Sequence, residues 1–567
     1  MEDCELLLPD ASLLSPYHIL FNALSLIPFF HYLVAFLLIL ALFLYNFLQI
    51  HFFRDFITGF RGNPVSLTCN FSSELYQCVA SKCSILHGRF CPTPWLSSPH
   101  LQTTFLTLSG NSPNFSYRRH LFKASDGGTI ALDWLTSAEV EEGISYKSDA
   151  LLQDEKAPIV VVTPGLTSDS SAAYIKNIAF AMARKGWNVV VSNHRGLGGI
   201  SITSDCFYNA GWTEDLRSII DHIHSQYPEA PLYAVGTSIG ANILVKYLGE
   251  QGVDIPLSGA AAVCSPWDLL ICDRFMNRRL VQKLYNRVLA IGLQGYAQLH
   301  HSVMTRLIDW DSLKLSRYVR DFDKHATRVL AKFETVDTYY RRSSCVNFIG
   351  NVSVPLLCIN AMDDPVCTRE SIPWDECRAN ENIILATTEH GGHLAYYEGI
   401  TANSMWWVRA VDEFLQVLHS SSLRNKRKME GSNLHNLCES SIDQGPFVNV
   451  MEDGMVTATT NSQDNVVEDT SSNEDELKTI SDGERNDNTT EKIDSKIIVK
   501  QPLDQNVNDP TVAVRRYMGQ LSRHNKFSIW LLAYIALVTS WPLVGSALLL
   551  FIKKRFKNII PATFLRR

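Results

Sequence analysis

A serine, a pair of aspartates and a pair of histidines, in that chain order, carry the chemistry this sequence could do. Ser238 stands in VGTSIGANIL, residues 235–244, with Gly236 and Gly240 two positions to either side. Asp363 and Asp364 close the run VPLLCINAMDDP, and His390 and His393 fall in NIILATTEHGGHLAYYEG. A serine hydroxyl becomes a useful nucleophile when an imidazole takes its proton and a carboxylate holds that imidazole. Serine, acid, histidine is the order in which one sheet type supplies the three. We read Ser238 as nucleophile, Asp364 as orienting acid and His393 as base, with Asp363 and His390 as neighbours that could displace them. A sharp strand-to-helix turn would crowd side chains two residues from the serine, and Gly236 and Gly240 remove that crowding. Acyl transfer also needs donors for the developing oxyanion. The amide of Ile239, opening a helix, is one candidate. The amide of Leu166, in TPGLTSDS after a strand, is the other, because Gly165 lets the backbone approach a ligand.

These residues need a scaffold that brings them to one edge. PIVVVTP is a β-branched run of strand length, followed by the helical spacing of AAYIKNIAFAMARKGW and then by the strand NVVVSNH. DLRSIIDHIHSQY reads as a helix, PLYAVGTS as a strand and ANILVKYLGEQG as a helix closed by Gly252. Such alternation predicts an α/β fold with a mostly parallel central sheet and helices on both faces. FKASDGGTIALDW precedes it as a hairpin turning at Asp126-Gly127-Gly128. Ser238 and the ends of the two later strands should meet at the carboxyl edge. About 266–350, including RLVQKLYNRVLAIGLQGYAQL, is long enough for a helical lid between strands.

NHRGLGG at 193–199, YNAGWTEDLRSII at 208–220, FETVDTYYRRSS at 333–344, HGGHLAYYEG at 390–399 and PTPWLSSPHLQTTF at 92–105 resemble one α/β-hydrolase subfamily. It includes bacterial YheT-like proteins, yeast medium-chain ethyl ester synthases, animal abhydrolase-domain membrane-anchored lipases and plant embryogenesis-associated hydrolases. The resemblance is greatest to the plant members, covers the span 92–418, and implies a serine hydrolase whose triad falls on Ser238, Asp364 and His393. Many relatives carry His-Gly where this chain has Pro164-Gly165.

The remaining composition narrows the partners. With 567 residues, 46% apolar and 19% charged, the chain can bury a large core, and a net charge of -7 offers no basic field for nucleic acid. Thirteen cysteines lack the paired spacing of a structural zinc site and read as reduced thiols. Neither a metal nor an organic cofactor is expected. No Asp, Glu, Lys or Arg lies between Asp10 and Arg54, so 1–55 reads as an N-terminal membrane anchor. Arg54 and Arg61 follow it, which places the next domain on the cytosolic side. We expect a linker over 56–91, a catalytic domain over 92–418, an acidic disordered tether over 419–510 and a membrane-associated segment over 511–567 that spans or bends back. Asn70-Phe71-Ser72 and Asn488-Thr489-Thr490 fit glycosylation sequons that a cytosolic domain would not expose to the enzyme. The expected function is a membrane-anchored ester hydrolase acting on a lipid or small acyl ester. Transfer of the acyl group to an alcohol and a catalytically idle binding module are its rivals.

Overall fold

Strands become the centre of this molecule where β-branched residues run on without a polar break. In the computed structural model, which describes residues 17, 24–109, 111–142, 155–423, 447–450 and 456–459, nine strands form one sheet. A membrane-length helix, α1 (Phe29–Phe47), comes first, followed by the edge strand β1 (Ser66–Cys69) and helix α2 (Pro99–Ser109). The hairpin β2 (Arg118–Lys123) and β3 (Thr129–Leu135) leads into β4 (Ile159–Thr163), α3 (Ala173–Ala183), β5 (Asn188–Ser192) and α4 (Glu214–Gln226). Next come β6 (Leu232–Thr237), α5 (Ile239–Gln251) and β7 (Leu257–Val263). The excursion after β7 contains α6 (Leu269–Met276), α7 (Leu280–Leu299) and α8 (Val336–Ser343). The chain then returns as β8 (Leu356–Ala361), β9 (Ile383–Thr388) and α9 (Trp406–Ser420).

The strand order is β1-β9-β8-β7-β6-β4-β5-β3-β2. From β9 to β5 every neighbour is parallel, while β1 and the β2–β3 hairpin are antiparallel. Alternate residues of the central strands enter different cores, which is why both parities are apolar. Val160, Val162, Val189 and Val191 pack with Ile175 and Ile178 of α3 and Trp407 and Phe414 of α9. Val161 and Val190 pack with Ile219 and Ile223 of α4 and Leu244 and Leu248 of α5.

One boundary needs correcting. The stretch 56–91, read as a linker, belongs to the folded unit from its first strand onward. Ser66–Cys69 extends the sheet beyond β9, and Leu75, Val79, Ala80, Cys83, Leu86 and Phe90 are buried in the same core as α9. The Glu413 carboxylate of α9 accepts from the amides of Ser84 and Ile85, fixing the segment by its backbone. The described cysteines are all free.

None of α1's side chains is buried, and among the described residues it is the helix long and apolar enough to cross a membrane. Its end is tied to the domain: Ser98 Oγ donates to the Leu48 carbonyl, and the His51 amide donates to the Ser97 carbonyl at 2.8 Å. A second unit, Gly445–Arg567, contains an antiparallel pair, Phe447–Val450 with Val456–Thr459. The apolar stretch 527–552 and most of the acidic tether lie outside the described residues.

Candidate active site

Ser238 occupies the one-residue corner between β6 and α5 at φ 52°, ψ -122°. A side chain there is strained, and the corner exists because its neighbours are glycines. A Cβ on Gly236 would stand 2.5 Å from the Gly240 carbonyl oxygen, and one on Gly240 would stand 2.4 Å from the carbonyl oxygens of both Thr163 and Pro164. Packing at these two positions therefore excludes any larger residue.

Ser238 Oγ lies 3.0 Å from His393 Nε2, and His393 Nδ1 lies 2.9 Å from Asp364 Oδ2. The Asp364 side chain is fully buried, so its charge needs internal partners. Its other oxygen accepts from the amides of Val366 and Cys367, both at 2.8 Å, on the loop after β8. That arrangement fixes Oδ2 toward the imidazole. The His393 loop is held through its backbone: the His393 amide donates to Thr103 Oγ1 at 3.0 Å, and the Tyr397 amide donates to Gln102 Oε1. Thr103 and Gln102 belong to α2, within SSPHLQTT, a stretch whose positioning role the residue types alone did not show. Gly392, at φ 62°, makes the fit possible, since a Cβ there would be 2.8 Å from both the Pro99 carbonyl and Thr103 Oγ1.

The other aspartate and histidine form a separate pair. His390 Nδ1 is 3.1 Å from Asp363 Oδ2, whose partner oxygen accepts from the Gly392 amide. His390 stacks on His51, with ring centroids 3.6 Å apart and planes 16° from parallel.

The two expected oxyanion donors sit where loop and helix approach the serine. A Cβ on Gly165 would lie 3.3 Å from Ser238 Cβ, so the 164–167 loop passes directly over Ser238. Neighbouring amides are committed: Gly165 donates to Tyr174 Oη, Thr167 to Tyr208 Oη and Ser238 to the Val263 carbonyl. Those of Leu166 and Ile239 donate to no protein acceptor among the described residues. The loop is buttressed by His194, whose Nε2 is 2.9 Å from the Pro164 carbonyl and whose ring stacks on Tyr208. Burial holds the His194 imidazole below its ordinary range, so it is a neutral donor to that carbonyl. Next to it, Arg195 is buried between Asp126 and Asp215, anchoring the NHRGLGG turn.

Two clusters offer metal-ligand atoms within 4.8 Å: Cys264, Asp364 and His393, and His51, Asp363 and His390. In the first, burial and then the Asp364 charge push the Cys264 thiol far above its usual range, which disfavours the thiolate a metal needs. In the second, two face-to-face imidazoles cannot direct their lone pairs at a common point.

Ser238 and His393 open onto a cavity of about 880 Å³ lined mainly by apolar side chains. Its walls include Leu106 and Leu108 of α2, Val281, Leu284 and Leu293 of α7, and Phe47 at the end of α1. Asn242 ties α5 to the end of the excursion after β7, donating to the Ser343 carbonyl and accepting from the Cys345 amide.

The comparisons with known proteins agree with this architecture. The family described as serine aminopeptidase, S33, matches residues 154–400. Embryogenesis-associated protein EMB8 of Picea glauca is 33% identical over 367 residues, covering 63% of this chain and 78% of that protein. Phospholipase ABHD3 of Mus musculus is 32% identical, covering 60% of this chain and 82% of the relative. The medium-chain fatty acid ethyl ester synthase/esterase 2 of Saccharomyces cerevisiae is 29% identical, covering 58% and 85%.

Proposed function

The chain belongs to the α/β-hydrolase family that includes the embryogenesis-associated and ABHD3 proteins, and from that premise we propose that it is a membrane-anchored serine hydrolase of lipid acyl esters. It is a carboxylic-ester hydrolase of the lipase and esterase kind, like its named relatives. The observation that carries the finer reading is the hydrogen-bonded line from Ser238 through His393 to Asp364 at the mouth of an apolar cavity.

In this mechanism His393 Nε2 takes the hydroxyl proton as Ser238 Oγ attacks the ester carbonyl, and Asp364 stabilises the imidazolium that forms. The amides of Leu166 and Ile239 receive the oxyanion. Collapse of the tetrahedral intermediate expels the alcohol, which takes the proton from His393, and leaves an acyl-serine. Water then attacks that ester, with His393 again the base, and free acid leaves. An alcohol in place of water would give transfer instead of hydrolysis, the chemistry that the yeast relative's name couples to esterase activity.

The apolar cavity suits an acyl chain, and the end of α1 in its wall suits a substrate held in a membrane. The anchor is α1, with the catalytic domain in the cytosol. Fluorophosphonate labelling of sealed microsomes tests the whole reading, with and without an added protease. Wild type should label, Ser238→Ala should not, and ester turnover should fall by about a thousandfold or more. Protease should shorten the labelled band. Equal labelling of both proteins would remove Ser238 from the chemistry, and a fully protected band would reverse the topology.

A further inference from the structure

Helix α7 carries an apolar stripe that the described residues leave uncovered. Leu280, Leu284, Val288 and Ile291 are 72%, 62%, 61% and 52% exposed. At about 100° per residue these four fall within roughly an 80° arc. Asn286, Ala290, Leu293 and Ala297 on the opposite face are buried. The stripe is continuous with the membrane helix: Leu284 and Val288 share the wall of the catalytic cavity with Phe47 and Leu48. A second groove beside Phe47 is lined by Lys283, Arg287, Arg317 and Tyr318. No Asp or Glu occurs from Arg274 to Ile308. Arg287 bonds the carbonyls of Ser316 and Arg317, and among the described residues no carboxylate pairs with Lys283 or Arg317. Phe53, Phe56 and Ile57, just past α1, are exposed as well. Apolar side chains edged by cations, next to a spanning helix, match the boundary between lipid chains and phosphate headgroups.

We propose that α7 lies in that boundary, in the leaflet where α1 ends, with its stripe among the acyl chains and Lys283 and Arg317 at the phosphates. The catalytic cavity then opens sideways into the leaflet, and an ester-linked chain reaches Ser238 without crossing water. This rests on the membrane-anchored hydrolase reading above and adds the route by which substrate enters.

The test uses the full chain in vesicles of phosphatidylcholine and phosphatidylserine. Bimane on Ile291→Cys should be quenched several-fold more by acyl-chain nitroxide lipids than bimane on Glu229→Cys, an exposed site before β6. Equal quenching, or none at Ile291→Cys because a second copy or another protein covers the stripe, overturns the proposal. Leu280 and Ile291 line no part of the catalytic cavity. The double variant Leu280→Glu/Ile291→Glu should hydrolyse vesicle lipid at least tenfold more slowly and soluble p-nitrophenyl butyrate within twofold of wild type. Equal rates on vesicles, or equal losses on both substrates, overturn it. If wild type itself neither labels with fluorophosphonate nor cleaves the soluble ester, the proposed function fails, and the quenching result decides the docking of α7 independently.

Discussion

Two aspartate–histidine pairs stand side by side in this protein, offset by one residue at the acid and three at the imidazole. His393 and Asp364 are 2.9 Å apart and His390 and Asp363 3.1 Å apart, so local chemistry hardly separates them. Their surroundings do. His393 presents its second nitrogen to Ser238, whereas among the described residues His390 has no partner for its own and lies flat against His51. His393 faces the cavity, and the other pair joins the segment after α1 to the 390–393 loop. On the proposed mechanism the same two residue types would serve reaction and assembly a few ångströms apart, distinguished only by what each ring meets.

The largest expected effect breaks the comparison outright. His393→Ala should lower ester turnover by about a thousandfold or more, and His390→Ala by less than tenfold, measured on a soluble ester with fluorophosphonate labelling alongside. Comparable losses would mean that both pairs serve the reaction.

A third buried carboxylate sharpens the contrast. Asp323, in a segment lining the cavity, has the side chains of Tyr340 and Thr327 as donors but, among the described residues, neither amide pair nor imidazole. Burial pushes its pKa up to about 6. A raised carboxylate pKa favours folding below the unfolded value of 3.8 and withdraws that support as pH rises through 6. Asp323→Asn should therefore stabilise the chain by about 1–3 kcal/mol at pH 8. The advantage should close by pH 4 in thermal unfolding of the detergent-solubilised protein. An unchanged difference between the two pH values would show that Asp323 does not titrate in this window.

The smallest effect concerns the assembly pair. Burial, and then the neighbouring His390, bring His51 down to about 4. With the folded pKa below the ordinary histidine value of 6.5, stability is full above 6.5 and is lost as pH falls toward 4. His51→Phe keeps an aromatic face for His390 and removes the titration. It should match wild type at pH 7.5 and exceed it by about 1–2 kcal/mol at pH 5, read again by thermal unfolding. A variant equally weakened at both pH values would assign the stack, not the titration, the dominant role.

Much of the scaffold could be read from residue order because the central strands are short runs of Val, Ile, Leu and Ala bounded by Gly, Pro or Asp. PIVVVT, NVVVS and LYAVGT could hardly be anything else. The choice between Asp363 and Asp364, or between His390 and His393, had no such basis in the residue types. It depends on loop backbone that Thr103 and Gln102 hold from far upstream. The edge strand at Ser66–Cys69 was missed because four residues of mixed polarity carry no period, and its partner Ile383–Thr388 is more than 300 positions away.

The joint between α1 and the domain has a kinetic meaning. The Leu48 carbonyl, the His51 amide and the His51 ring are all bound to the folded unit, so no swivel separates α1 from Ser238. With α1 as the anchor proposed above, enzyme and helix would diffuse and rotate as one body. For a substrate dissolved in the same bilayer, encounter becomes a two-dimensional search, and the concentration that sets the rate is mole fraction in the leaflet. Diluting the ester with inert lipid should slow turnover, while diluting the vesicles with buffer should leave it nearly unchanged.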